Sequence, residues 1–140
     1  MKTVLEIIGL LVYANLLEYA IHRWMLHGWL WKQHSGHHND SSHTVLFVHN
    51  LRGALLASLL IGGNALLWAP LGWLPLVVFA FYYFVVLEAA HLIIHRFHIK
   101  GHHMTHHADL KEGNWNVVIP FGDWIFGTKI EKKGRSHEQR

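Results

Sequence analysis

Fifteen of the 140 residues are histidine, and ten of these form four groups with chelating spacings. They are His22-x4-His27, His34-x2-His37-His38, His91-x3-His95 and His103-x2-His106-His107. There is no cysteine, so disulfides and thiolate metal sites are excluded. Neutral imidazole suits Zn, Cu, Fe and Ni. On an α-helix, residues four apart differ by only about 40° and share a face, so His91 and His95 can grip one ion. Each HxxHH group likewise presents two or three rings on one face. His22 and His27 differ by about 140° on an ideal α-helix, so they need a frayed helix end or serve different ions. Ten imidazoles exceed what one tetrahedral or octahedral ion takes, and the pattern points to two ions.

Two other uses of histidine fit less well. A loose metal-sequestering tract is low in complexity and sits in a tail, whereas these groups are embedded in the chain and repeat one spacing. A transporter would carry its ligands near the bilayer midplane, whereas these gather where apolar segments end. Histidines 43, 49, 98, 102 and 137 fit no group, although His102 could replace His103 with changed spacing. Ligating imidazoles usually donate their second N–H to a carboxylate or carbonyl. Glu18, one turn before His22, and Glu88, three residues before His91, are candidates for that role. So are Asp40 and Asp109, which close HSGHHND and HMTHHAD. Ordinary turn chemistry accounts for the two aspartates equally well.

The elements that must position these residues are apolar. The chain is 51% hydrophobic and 15% charged, too apolar for a soluble domain of this size. Residues 4–21, 53–69 and 71–94 are each long enough to cross a bilayer as a helix. We therefore expect an all-α integral membrane bundle of about three transmembrane helices, one N-terminal and two forming a hairpin through Pro70-Leu-Gly-Trp-Leu-Pro75. A histidine-rich helical cap on one face completes it, and 1–140 is a single domain. Ser58 and Gly62 offer a small surface for close helix approach. Residues 1–20 lack a convincing cleavage site for a signal peptide, and Glu6 interrupts them. Of the 12 Lys and Arg residues, all but Lys2 lie between the first two segments or after the third. With three crossings those regions share one side, which is then cytoplasmic, with the N-terminus opposite. Trp24, Trp29 and Trp31 would sit at that inner interface. Both sets of histidines exit on the same face.

Four groups in the order HX4H, HXXHH, HX3H and HXXHH, separated by a membrane hairpin, resemble the fatty acid hydroxylase/sterol desaturase superfamily. The flanking EYAIHRWMLHG and DWIFGT strengthen the likeness, which spans about residues 18–128. HRWMLHGWLWKQHSGHH is also similar to bacterial β-carotene hydroxylases of that superfamily. The resemblance implies a non-haem di-iron enzyme that uses O2 and external electrons to hydroxylate, or less often desaturate, a lipid. By the same resemblance His22, His27, His34, His37, His38, His91, His95, His103, His106 and His107 hold two iron ions, which zinc can replace on purification. Phe79, Phe81, Tyr82, Tyr83 and Phe84 could line a substrate groove, although helix packing or lipid contact accounts for most of them. The substrate would be a membrane lipid: fatty acyl, sterol-like or a carotenoid ring. The chain is shorter than most members and has neither a fused cytochrome b5-like domain nor a flavin or nucleotide motif. A separate donor, ferredoxin- or cytochrome b5-like with a reductase, is then required. A homodimer could complete the pocket, and nothing suggests a nucleic-acid partner. The alternative is a non-catalytic metal-binding or transport membrane protein.

Overall fold

The computed structural model describes residues 2–39, 51–109 and 113–130, except for the side chains of 33, 37, 39, 51–57 and 109. Every element among the described residues is helical. Helix α1 (Lys2–Ala20) runs without a break into a π-helical stretch, π1 (Ile21–Trp29). Then come α2 (Trp31–Asn39), α3 (Leu51–Leu67) and α4 (Leu74–Phe81). A second π-helical stretch, π2 (Tyr82–Leu87), leads into α5 (Glu88–Arg96). Helices α6 (His102–Asp109) and α7 (Phe121–Ile125) are short.

Two of the described helices are long and apolar enough to cross a membrane. They are Lys2–Trp29, 28 residues, and Leu74–Arg96, 23 residues. Their most apolar windows are only 28% and 33% buried. The outward faces carry Val4, Leu5, Ile8, Leu76, Phe81 and Val85, all exposed. A core helix of a soluble protein would cover such side chains, whereas a bilayer solvates them at no cost. The chain is a membrane protein. Helix α3, at 17 residues, stands at the lower limit for a crossing.

The hairpin expected between the second and third segments is present. Helix α3 ends at Leu67, a 3-10 turn covers Ala69–Leu71, and Gly72 takes a φ of 67° that an L side chain adopts rarely. Pro75 then lies in the first turn of α4, where its missing N–H has no partner to lose. Among the described residues nothing packs on the Ser58/Gly62 surface at Gly62, where a Cβ would meet nothing within 4 Å. Helices α1 and α3 join elsewhere, through the Tyr13 hydroxyl donating to Asn64 Oδ1 at 2.6 Å.

The apolar core lies where α1, α3, α4 and π2 meet, around Leu10, Ala14, Ile61, Phe79, Tyr83 and Leu87. Phe79, Tyr82 and Tyr83 are therefore packing residues, while Phe81 and Phe84 face outward. Beside this core, toward the histidines, lies a buried polar layer of Asn15, Glu18, Asn114, Asn116 and Asp123. It knits α1 to the segment 113–117, which we call the strap.

Candidate metal centre

The first histidine pair depends on π1. In a π-helix the backbone bond runs from i to i+5, so residues five apart stack on one face. Leu30 N–H donates to Met25 O at 2.7 Å in that pattern. His22 and His27, five apart, thus face the same way without a frayed end, and they belong to one cluster. The α-helical geometry assumed from the sequence was the wrong period for HX4H.

Nine of the ten histidines in the four groups come together with described side chains. One cluster holds His22, His27, His34 and His38, each offering a nitrogen within 4.8 Å of the others. The second holds His91, His95, His103 and His107 on the same criterion. His106 adjoins the first cluster, its Nε2 lying 3.0 Å from His27 Nε2. The clusters touch: the rings of His38 and His107 stack at 4.3 Å. The HxxHH group in α6 is therefore divided, with His103 and His107 on one cluster and His106 on the other. Helix α2 also carries His37, whose side chain lies outside the described residues, as does that of Asp109 and the whole of Asp40. His102 sits outside both clusters, so His103 is the one that joins.

The nitrogen spacings suit cations. His38 Nε2 lies 3.1 Å from both His27 Nε2 and His34 Nε2. His103 Nε2 lies 3.2 Å from both His95 Nε2 and His107 Nε2. Bonds of about 2.0–2.1 Å to one ion place neighbouring ligand atoms roughly 2.8–3.0 Å apart on the edge of an octahedron and roughly 3.3–3.4 Å apart on that of a tetrahedron, a range that brackets these spacings. A shared proton can join two such nitrogens but not three. His22 Nε2 and His103 Nδ1 are also buried without a hydrogen-bond partner among the described residues. A buried nitrogen in that state is costly unless something else satisfies it. The donor set fits two metal ions, one per cluster.

Main-chain carbonyls orient two of the rings. His22 donates its Nδ1–H to Trp115 O, and His106 donates its Nδ1–H to Gly113 O at 2.9 Å. Each bond fixes the tautomer that turns the Nε2 lone pair toward the cluster. Both carbonyls belong to the strap. Its position is set by Glu18, which accepts Val117 N–H at 2.5 Å and the Tyr82 hydroxyl at 2.6 Å. Asp123 accepts Trp115 N–H at 2.9 Å and Asn116 N–H at 3.0 Å. The Trp115 indole lies against His22, His27 and His106, with ring centroids 5.9, 4.8 and 4.9 Å away. It screens that side from water. Burial holds His103 well below the usual imidazole range, reinforced by its neighbours His91 and His107. Burial also lowers His106, against the opposing pull of the Gly113 carbonyl. Both rings stay neutral, as metal ligands must.

Of the four acids singled out from spacing, Glu18 reaches the ligands through the strap and Glu88 opens the helix bearing His91 and His95. The strap, Asn15, Asn116, Tyr82 and Asp123 are the participants that spacing did not reveal. The one signal for them was polarity in unexpected places: an Asn in an apolar helix and an N-W-N run before DWIFGT. Beside His22, a cavity of about 10 Å³ lies between Glu18, Ile21, Leu26, Tyr83, Leu87 and Val117. It has room for one water-sized molecule.

A family model described as Fatty acid hydroxylase matches residues 7–128. A beta-carotene hydroxylase from Paracoccus sp. (strain PC1) is 33% identical over 92 residues, covering 61% of this chain and 56% of that protein. Another beta-carotene hydroxylase, from Paracoccus sp. (strain N81106 / MBIC 01143), is 32% identical over 93 residues with the same coverage. The chain thus spans a little over half the length of these curated relatives. No solved structure matches it. The family match runs from the first third of α1 through both histidine clusters to Thr128, whose carbonyl accepts the strap's Asn114 N–H, and the chain belongs to the fatty acid hydroxylase family.

Proposed function

We propose that the chain is a membrane-bound non-haem di-iron hydroxylase acting on a lipid dissolved in the bilayer, with a carotenoid ring as the favoured substrate. The observation that carries this reading is the pair of touching histidine clusters, each with ligand nitrogens within 4.8 Å of one another. The ten histidines of the four groups are the proposed ligands. The carotenoid preference is supported by the names of the two relatives, and a fatty acyl chain is the second choice from the family description.

When bound, the two irons supply activation of O2 with electrons from outside the chain. The residues do the rest. The strap carbonyls hold His22 and His106 in the tautomer that presents Nε2. Trp115 and the buried polar layer keep bulk water from that cluster. Ile21, Leu26, Tyr83 and Leu87 form the apolar side of the small cavity beside His22.

The topology we propose has three crossings, with both clusters on the cytoplasmic face and the N-terminus opposite. Trp24, Trp29 and Trp31 are exposed near the clusters, as interfacial anchors would be. This arrangement lets a separate ferredoxin- or cytochrome b5-like donor reach the site from water while the substrate arrives from lipid. A second copy of the chain could complete the substrate enclosure.

Mass spectrometry of lipids from carotenoid-producing cells, with and without the protein, tests the reading. A product heavier by one oxygen, absent with His106→Ala, is expected. Two bound metals with no oxidised lipid under any donor would favour a non-catalytic metal protein instead.

A further inference from the structure

We propose that Asp123 is a positioning residue that makes the two metal sites unequal, holding one site through the strap and leaving the other independent of it. The inference rests on the dinuclear reading above. Asp123 is fully buried, with 0% exposure. Its Oδ1 accepts Trp115 N–H at 2.9 Å and the Thr128 hydroxyl at 2.7 Å, and its Oδ2 accepts Asn116 N–H at 3.0 Å. A carboxylate this deep is retained only where its hydrogen bonds compensate the lost hydration. Here both main-chain donors lie in the strap.

Two peptide units held by one carboxylate have little freedom to rotate. The Trp115 carbonyl aimed at His22 Nδ1 is thereby fixed from its own N–H side. The rest of the strap is fixed by Glu18 on Val117 N–H and by Asn116, which donates to Asn15 O at 2.9 Å. Asn116 Oδ1 also accepts Gly122 N–H at 2.9 Å, tying the strap to the helix that carries Asp123. At the other end, Asn114 N–H donates to Thr128 O at 3.0 Å, which sets the Gly113 carbonyl over His106.

Both strap carbonyls serve one cluster, that of His22, His27, His34 and His38 with His106 beside it. In the cluster of His91, His95, His103 and His107, the His103 Nδ1 is buried without a partner among the described residues, so no strap carbonyl turns that ring. Asp123→Asn keeps the side chain's shape but turns one acceptor oxygen into an N–H2 facing an N–H donor. The strap loosens, and only the cluster it orients should feel the change. Substitutions behind metal ligands commonly weaken affinity by about 10–100-fold.

The test titrates the full metal-free chain, in detergent or nanodiscs, with Co(II) and follows its absorption bands. His95→Ala and His106→Ala supply reference spectra for the strap-side and strap-free sites. For Asp123→Asn we expect roughly tenfold weaker binding at the strap-side site, with the other site unchanged within about twofold. Thr128→Val, a milder change that removes one donor to Asp123, should shift the same site in the same direction while helical circular dichroism stays unchanged. If Asp123→Asn does not fold, Thr128→Val decides. Equal weakening of both sites, or of neither, overturns the inference. Wild-type protein binding fewer than two Co(II) would instead overturn the dinuclear reading on which it rests.

Discussion

His22 and Trp115 are 93 positions apart, yet the imidazole Nδ1–H of one donates to the carbonyl of the other. This bond links the first membrane helix to the last described segment. The orientation of a ring on α1's extension is therefore decided by whether residues 113–128 have docked. Metal binding and completion of the fold are coupled, in the sense that an ion binding only the docked form stabilises it.

Gly122 is where that segment presses against α1. A Cβ there would lie 2.7 Å from Tyr19 Cβ and Cγ and 2.8 Å from Asn116 Oδ1. Gly122→Ala should push α7 off α1 and cost about 1–3 kcal/mol, the usual penalty for overpacking. It should also weaken metal binding. Thermal unfolding and metal analysis on the same sample check this, and an unchanged midpoint would contradict it.

Asn114 has a φ of 59°, while its side chain accepts Ile130 N–H at 2.9 Å and donates to Ile130 O at 3.0 Å. Asn114→Ala keeps the unfavourable backbone and loses both bonds; Asn114→Gly relieves the backbone but also loses them. Alanine should therefore destabilise more than glycine, by about 1 kcal/mol, the steric cost of the left-handed region for a Cβ. Parallel unfolding curves of the two variants decide the order.

Tyr82 donates to Glu18 Oε2 at 2.6 Å and accepts from Asn15 Nδ2 at 2.8 Å. Tyr82→Phe leaves two buried polar groups short of a partner, at a cost of about 1–3 kcal/mol. Glu18 retains its bond to Val117, so the strap and both ions should stay. A lower unfolding midpoint with full metal content is expected; loss of metal without loss of stability would contradict the assignment.

Acid should destabilise the metal-free protein. Burial lowers the affinity of His103 and His106 for protons in the folded state, whereas in the unfolded chain they titrate near pH 6.5. As pH falls through that value the unfolded state takes up more protons, so stability declines. Bound metal competes with the same protons and should blunt the decline. Unfolding midpoints between about pH 7.5 and 5.5, with and without metal, test the sign. A metal-free midpoint that rises on acidification would contradict it.

The four histidine groups, the hairpin and the family were legible in the sequence because each rests on short-range spacing. The π-helix was not, since HX4H read on an α-helical period sends its rings apart. The division of HMTHH between two clusters was not either. Ring direction there depends on what α6 packs against, not on spacing within α6. The strap escaped for a related reason. Its carbonyls are main-chain atoms, and no residue type marks which carbonyl will face a ring. DWIFGT could be recognised as a flanking signature, but the role of Asp123 became visible only once Trp115 and Asn116 were placed against it.

The measurement that bears most directly on the account is anaerobic titration of the metal-free, full-length chain with Fe(II). The account predicts saturation at two irons per chain, falling to one in His106→Ala. A break at one iron in the wild-type chain, or no saturable binding, would contradict it.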